Sequence, residues 1–375
     1  MINTNKLKDW YLQNFEEQLL GRYIHSENIE KLLYKYSNKF KIDVVGQSVN
    51  DLPIYKILIG TGAKRIMMWS QMHGNESTTT KAVFDLLKLL SNTNEFSDAI
   101  LKSCTICIIP ILSPDGAKAY TRVNANNIDL NRDAQDLSQP ESKLLHELYN
   151  DFKPNFCFNL HDQRTIFSAG PTDNPATVSF LSPSQDVNRS VTDTRKKSME
   201  IISVMNKMLQ KIIPGQVGRY DDGFNINCVG DTFQSLGVPT ILFESGHFQN
   251  DYNRDKTREF IFYSMLEAIL YIANNNIKGD KYEEYFEIPE NDKLFLDIIF
   301  RNFPLIIDGV ETKTDIGIFY KETLLDDTIK FIPQIEKVGD LNELFGHQEV
   351  TVNDVDFTPM DINKFTLHYL NINAY

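Results

Sequence analysis

Ile66-Met67-Met68-Trp69-Ser70-Gln71-Met72-His73-Gly74-Asn75-Glu76 decides how the rest of the chain is read. Arg65–Ser70 is a mostly continuous apolar run, the pattern of a strand buried on both faces of a sheet. Thr78–Leu90 then carries Val83, Leu86, Leu87 and Leu90 at helical spacing, and Thr105–Leu112 is a second apolar run. Strand, helix, strand in that order predicts a parallel crossover. Beyond the end of the first strand, His73 and Glu76 stand three residues apart, a spacing that closes on one metal ion.

Two later strand ends supply matching groups. His161 follows the run Asn155–Leu160 in Asn159-Leu160-His161-Asp162, and Glu244 follows Pro239–Phe243 in Ile241-Leu242-Phe243-Glu244. Ligands gather at the carboxyl edge of a parallel sheet. Two imidazoles, one ligating carboxylate and one spare carboxylate are the parts of a hydrolytic zinc site. A lone strand-end His is usually structural; the conjunction with Glu76 and with a polar segment downstream is what promotes His73 and His161. That segment runs Ser113-Pro114-Asp115-Gly116, then Tyr120-Thr121-Arg122-Val123-Asn124-Ala125-Asn126-Asn127-Ile128-Asp129-Leu130-Asn131-Arg132. Within it, Asp129 is read as orienting His73 through its second ring nitrogen. Arg122 is read as polarising a scissile carbonyl, and Arg132 with Asn131 as gripping a carboxylate. Glu244 ends an apolar run, where a carboxylate is costly unless paired or functional, and is read as a general base.

A chain of 375 residues holds one large domain and a small one. Its net charge of −13, from 38 basic and 51 acidic residues, opposes a nucleic-acid partner or an anionic membrane surface. No stretch approaches the roughly 18 apolar residues of a membrane span, and Met1-Ile2-Asn3-Thr4-Asn5-Lys6 lacks the apolar segment of a secretory leader. Cys104 and Cys107 have C-x-x-C spacing but lie in a strand-like run, where residues three apart point to opposite faces. With Cys157 and Cys228 they read as buried thiols in a reducing compartment, so a cytoplasmic location is expected.

Helices are expected at Thr4–Leu20 and Ser26–Tyr36, within a helical segment over residues 1–39. A hairpin-like pair follows at Lys41–Val45 and Ile54–Ile59 around Asn50-Asp51-Leu52-Pro53. Further helices are expected at Pro140–Phe152, Ser190–Lys211 and Arg254–Asn274. Phe167–Asn188, rich in Pro, Ser, Thr and Asn, reads as loop, and the charged Asp280–Glu290 as a linker. After it, Leu294–Phe300, Ile316–Tyr320, Ile329–Ile332 and Phe365–Ile372 read as short strands. The expected organisation is a catalytic domain over residues 1–279 and a small β-rich domain over 288–375.

In combination, H-x-x-E, the Pro-Asp-Gly turn, Arg-x-Asn-Ala-Asn, Asp-Leu-Asn-Arg and the strand-end His and Glu resemble the zinc carboxypeptidase family, relatives of carboxypeptidase A, over about Lys41–Asn274. The resemblance implies an α/β fold, a three-layer α/β/α sandwich around a mixed, mostly parallel sheet. It implies one zinc ion per chain, held by His73, Glu76 and His161, with Glu244 as general base and Arg122 at the oxyanion. It implies Asn131 and Arg132 at the substrate carboxylate, Asp129 behind His73, and Tyr220, in Gly218-Arg219-Tyr220-Asp221-Asp222, closing over the substrate. The implied reaction is hydrolysis of a C-terminal amide bond in a peptide or small amide with a free carboxylate.

His-Gly-Asn-Glu, with Asn75 where digestive members often place an Arg, and the short interval from Glu76 to His161 are also similar to the aspartoacylase and succinylglutamate desuccinylase branch. A zinc amidohydrolase acting on small N-acyl amino acids is therefore the second reading, and a metal-containing binding module without catalysis the third. Asp231, in Cys228-Val229-Gly230-Asp231-Thr232, is expected near the side-chain pocket, where it favours a basic group. His247 is expected to cap or to sit at the surface; His25, His146, His347 and His368 are expected to be structural.

Overall fold

The computed structural model describes residues 4–351 and 359–366. Helices α1 (Thr4–Asn14) and α2 (Ser26–Tyr36) open it. α2 buries Ile29, Leu32, Leu33 and Tyr36, one apolar stripe at helical spacing. Then come β1 (Lys41–Gln47), β2 (Pro53–Ile59), β3 (Lys64–Trp69), α3 (Thr78–Leu90), α4 (Glu95–Ser103), β4 (Cys104–Ile109), α5 (Pro114–Ala119), α6 (Pro140–Phe152) and β5 (Phe156–Asp162). They are followed by β6 (Ser168–Ala169), β7 (Val178–Leu181), α7 (Asp193–Leu209), β8 (Val217–Arg219), α8 (Val229–Ser235), β9 (Thr240–Ser245) and α9 (Asp255–Asn274).

Eight of these strands form one mixed sheet in the order β1-β2-β4-β3-β5-β9-β7-β8. The central ladders β4/β3, β3/β5 and β5/β9 are parallel, and the β1/β2, β2/β4 and β7/β9 ladders antiparallel. Successive strand residues face opposite sides. Ile66, Met68, Ile106, Ile108, Phe158 and Phe243 pack against α3, α7 and α9, while Met67, Trp69, Cys107, Ile109 and Cys157 pack against α6 and α8. The result is the three-layer α/β/α sandwich. Cys104 and Cys107 fall into different layers, and burial pushes their thiols up to about 11 and about 12, which keeps them inert.

Four expectations need correction, besides the strand expected to start at Phe365. α1 stops at Asn14 rather than Leu20, because a buried ion pair claims the backbone that follows. Arg258, 2.6 Å from Asp85, also donates to the carbonyls of Glu16 and Leu19, and Asp85 accepts from Glu16 N. The expected loop Phe167–Asn188 contains β7, a short strand between β9 and β8 whose Val178 and Phe180 are fully buried. Its apolar stretch is too brief to stand out among Pro, Ser and Thr. Asp280–Glu290 is no free linker. Tyr282–Glu287 forms a 3-10 turn against α7, with Tyr285 buried and its hydroxyl accepting from Ser182 N. His247 is the fourth, and its position follows from the second sheet.

That sheet contains β11 (Phe295–Ile307), β12 (Val310–Leu325), β13 (Thr328–Gly339) and β14 (Phe345–Thr351), in the order β13-β12-β11-β14, after a short β10 (Asn291–Asp292) that pairs with β6. Phe365 ends a short helix, α10 (Ile362–Phe365), rather than starting a strand; residues 367–372 and His368 lie outside the described residues. The second sheet packs against the first through His347 of β14. Its ring lies 4.2 Å from that of His247 and stacks on Phe295 at 4.5 Å. His247 is therefore buried, not a surface or capping residue.

Burial pushes the His347 imidazole down to about 4, opposed by its bond to the Thr165 carbonyl and reinforced by Arg254. Burial, with His347 next in weight, also lowers His247. Unfolded histidines protonate near 6.5, so between 6.5 and about 4 the unfolded chain binds more protons and stability falls as the pH falls. His347 alone contributes up to about 3 kcal/mol of this loss. Urea unfolding at pH 7 and pH 4.5 is expected to show His347→Phe losing less stability on acidification than the parent. Superimposable pH profiles would refute the assignment.

Candidate metal centre and cleft

The turn after β3 is built from buried polar groups. Gln71, at a positive φ of 42°, donates from Nε2 to the Ile24 and Gly74 carbonyls at 2.8 Å and accepts at Oε1 from Thr80 Oγ1. This fixes the path that presents His73 and Glu76. Next to β3, β5 carries His161 one residue before its end, and β9 pairs with β5 in a register that sets Glu244 opposite His161. Three adjacent parallel strands thus deliver all four groups to one carboxyl edge.

His73 Nδ1 lies 2.7 Å from Glu76 Oε1, His161 Nδ1 lies 2.8 Å from Glu76 Oε2, and the two imidazole Nδ1 atoms are 3.2 Å apart. All three residues are buried and their ligand atoms fall within 4.8 Å of one another. Two ring nitrogens aimed at each other and at one carboxylate repel unless a proton or cation is shared among them. Two imidazoles and a carboxylate are a donor set that suits zinc, so the residues present fit such an ion. On its far side, His73 Nε2 meets Asp129 Oδ1 at 3.0 Å, the contact that fixes a ligating ring and raises its basicity. Burial opposes ionisation of Asp129, but His73 and Arg122 hold its carboxyl well below the usual carboxylate range. Glu76 is likewise held low against burial, by His73 and His161.

Glu244 is the opposite case. Burial first, then the negative charges of Glu76 and Asp162, raise it well above the carboxylate range, and its Oε2 has no partner among the described residues. Arg122 reaches Glu76 Oε1 at 3.3 Å from Nη1 and Asp129 Oδ2 at 3.1 Å from Nε. Asn131 donates from its backbone to Asp129, and its side-chain oxygen accepts from Val229 N at the start of α8. Arg132 contacts the Asn131 carbonyl and Cys228 Sγ. Tyr220 packs on Phe167 with ring centroids 5.2 Å apart. The structure gathers His73, Glu76, Arg122, Asn131, Arg132, His161, Tyr220 and Glu244 around one cleft of about 680 Å³, with Asp129 behind His73.

The cleft also holds residues that sequence reasoning missed. Asp162 Oδ2 accepts from Thr78 N and Oγ1 and from Arg22. Arg22 in turn forks onto Glu322 of β12 at 3.1 and 3.2 Å, and the Tyr120 hydroxyl also donates to Glu322. Arg254 ties β5 to β9 by donating to the Gln163 and Ser245 carbonyls, each at 2.5 Å. Asp162 had a signal, its position beside His161. Arg22 and Glu322, separated by 300 residues, had none.

Comparison with known proteins agrees with this geometry. The family profile described as zinc carboxypeptidase matches residues 25–224, more than half of the chain. A probable carboxypeptidase 2 of Trichophyton verrucosum is 29% identical over 115 residues, 30% of this chain and 21% of that protein. Carboxypeptidase SOL1 of Arabidopsis thaliana is 23% identical over 223 residues, 53% and 45% of the respective chains. The chain thus spans about a fifth of the first relative and under half of the second. Among solved structures, a metallo-carboxypeptidase from Burkholderia cenocepacia superposes with a TM-score of 0.54 at 17% identity, covering 66% of this chain and 68% of its own, a likeness of fold.

Proposed function

The chain belongs to the zinc carboxypeptidase family, and from that premise we propose that it is a zinc-dependent metallopeptidase hydrolysing the C-terminal amide bond of a peptide. The observation that carries the reading is the register of β5 against β9, which sets Glu244, whose Oε2 has no partner among the described residues, beside His161 at the edge where His73 and Glu76 arrive from β3. His73, Glu76 and His161 would hold the metal. The chemistry zinc supplies at such a site is Lewis acidity, which polarises a carbonyl and lowers the pKa of water to about 7.

The remaining work belongs to the chain's own side chains. Glu244 takes a proton from the attacking water and returns it to the leaving amine. Arg122, fixed by Asp129 and Glu76, directs its guanidinium to the developing oxyanion. Arg132, which makes no ion pair among the described residues, takes the terminal carboxylate with Asn131 beside it, and Tyr220 covers the bound residue. Asp231 faces the same cleft. Burial pushes its carboxyl up to about 7, and a basic substrate side chain would give it the cation it lacks. Nucleic acid is not among the partners we assign, given the net charge of −13. No helix among the described residues is long and apolar enough to cross a membrane. The free thiols support placement in the cytoplasm.

The test is a metal analysis followed by a peptide digest read by mass spectrometry. One zinc per chain is expected, with peptides bearing a free C-terminus trimmed by one residue and their amidated counterparts left intact. A chelator should abolish the reaction and zinc restore it. Turnover of N-acyl amino acids alone would replace this reading with the amidohydrolase; bound metal with no amide hydrolysed would replace it with a binding module.

A further inference from the structure

The second sheet forms part of the cleft: Tyr320 and Glu322 of β12 line it together with Arg164. Nearly every charge on that wall is already engaged. Glu322 is held by Arg22 and Tyr120, Asp162 by Thr78 and Arg22, and Arg254 by two backbone carbonyls. Arg164 is the exception. It makes no ion pair among the described residues, yet its guanidinium is placed, 5.3 Å from the centre of the Phe319 ring of β12. An aromatic face holds the guanidinium and leaves its N–H edge free for a planar anion. Among the described residues Arg132 is the other cleft guanidinium without a carboxylate, and it borders a different wall, at Cys228 before α8.

We propose that Arg164 is a specificity-determining residue that reads an anionic group on the amino-terminal side of the scissile bond. The preferred substrate is then a short peptide with an acidic residue at that position. The proposal rests on the peptidase reading above, which gives Arg132 the terminal carboxylate. The leaving residue's side chain meets Asp231, which disfavours an anion there, so the second anion belongs to the acyl portion. A cleft of about 680 Å³ lies within the range of roughly 300–1,000 Å³ that encloses small ligands.

The experiment uses matched peptides, N-acetyl-Glu-Xaa and N-acetyl-Gln-Xaa, with one common C-terminal residue and zinc-loaded protein. The Glu peptide is expected to lead in kcat/KM by about tenfold or more. That ratio should fall to near one in Arg164→Met and to an intermediate value in Arg164→Lys, which keeps the charge but loses the fork. Dissociation constants of both peptides from the Glu244→Gln variant, with and without Arg164→Met, give a readout independent of turnover. Equal handling of the two peptides by the parent, or a preference that survives Arg164→Met, overturns the proposal. If neither peptide is cleaved but the Glu peptide binds tighter through Arg164, the subsite stands and the peptidase reading falls.

Discussion

Replacing Glu244 with Gln is expected to lower kcat by about 10²–10⁴, the contribution of a general base, while the protein still takes up one zinc ion. The amide keeps the size and shape of the carboxylate and loses only its capacity to accept and return a proton. The metal should be unaffected, because the ligand atoms converge from His73, Glu76 and His161 and Glu244 is not among them. Stability should hold or rise. In the parent, burial and the charges of Glu76 and Asp162 all work against an ionised Glu244, and its Oε2 has no partner among the described residues. Such tension is typical of a functional carboxylate and is relieved when the charge is removed. The measurements are steady-state kinetics, metal content and a thermal melt on the same preparation. A Glu244→Gln protein retaining near-parental turnover would place the base elsewhere, and one that lost its zinc would make Glu244 a ligand or scaffold.

What was legible in the sequence follows from which forces act locally. β3, β4, β5 and β9 are covered on both faces, so they appear as mostly continuous apolar runs that stop where the carboxyl edge begins. His73 and Glu76 share one turn, and His161 and Glu244 stand at strand ends, so ligand spacing and strand boundaries were enough to find them. β7 was missed because only Val178-Ser179-Phe180-Leu181 forms it, and its stability comes from pairing with β9 and β8 rather than from its own pattern. α4 was missed too, although Asn94 caps it by accepting from Phe96 N and Ser97 N; the helix is short and follows α3 closely. The contribution of the second sheet to the cleft was invisible for another reason. The expected strand Ile316–Tyr320 stopped short of Glu322, and only the fold brings Arg22 to meet that carboxylate. Local pattern reported the catalytic edge; long-range packing decides what surrounds it.

The glycine inside His-Gly-Asn-Glu should be as indispensable as its ligands. A Cβ on Gly74 would fall 1.8 Å from the Gly116 carbonyl carbon and 2.1 Å from Ala117 N, both main-chain atoms that cannot rotate away. Asn75 N also donates to the Thr121 carbonyl at 3.2 Å, so the ligand-bearing turn rests backbone to backbone on α5 and the loop after it. Gly74 makes room for the Pro-Asp-Gly segment, whereas a Cβ on Gly116 would meet its own loop, Ser113 Oγ at 2.7 Å and the Val123 carbonyl at 2.8 Å. In Gly74→Ala the turn must move off α5, carrying His73 and Glu76 away from His161. Overpacking of this kind costs about 1–3 kcal/mol. Displacing a ligand's support weakens metal binding by about 10–100-fold, and here two ligands move together, so the upper end is expected. Zinc affinity by chelator competition, alongside a thermal melt, measures both effects. Gly223→Ala is the control, since its Cβ would meet nothing closer than 3.5 Å. If Gly74→Ala matched that control in affinity and melting temperature, the turn would have slack that the packing against Gly116 denies it, and the site would not depend on this contact.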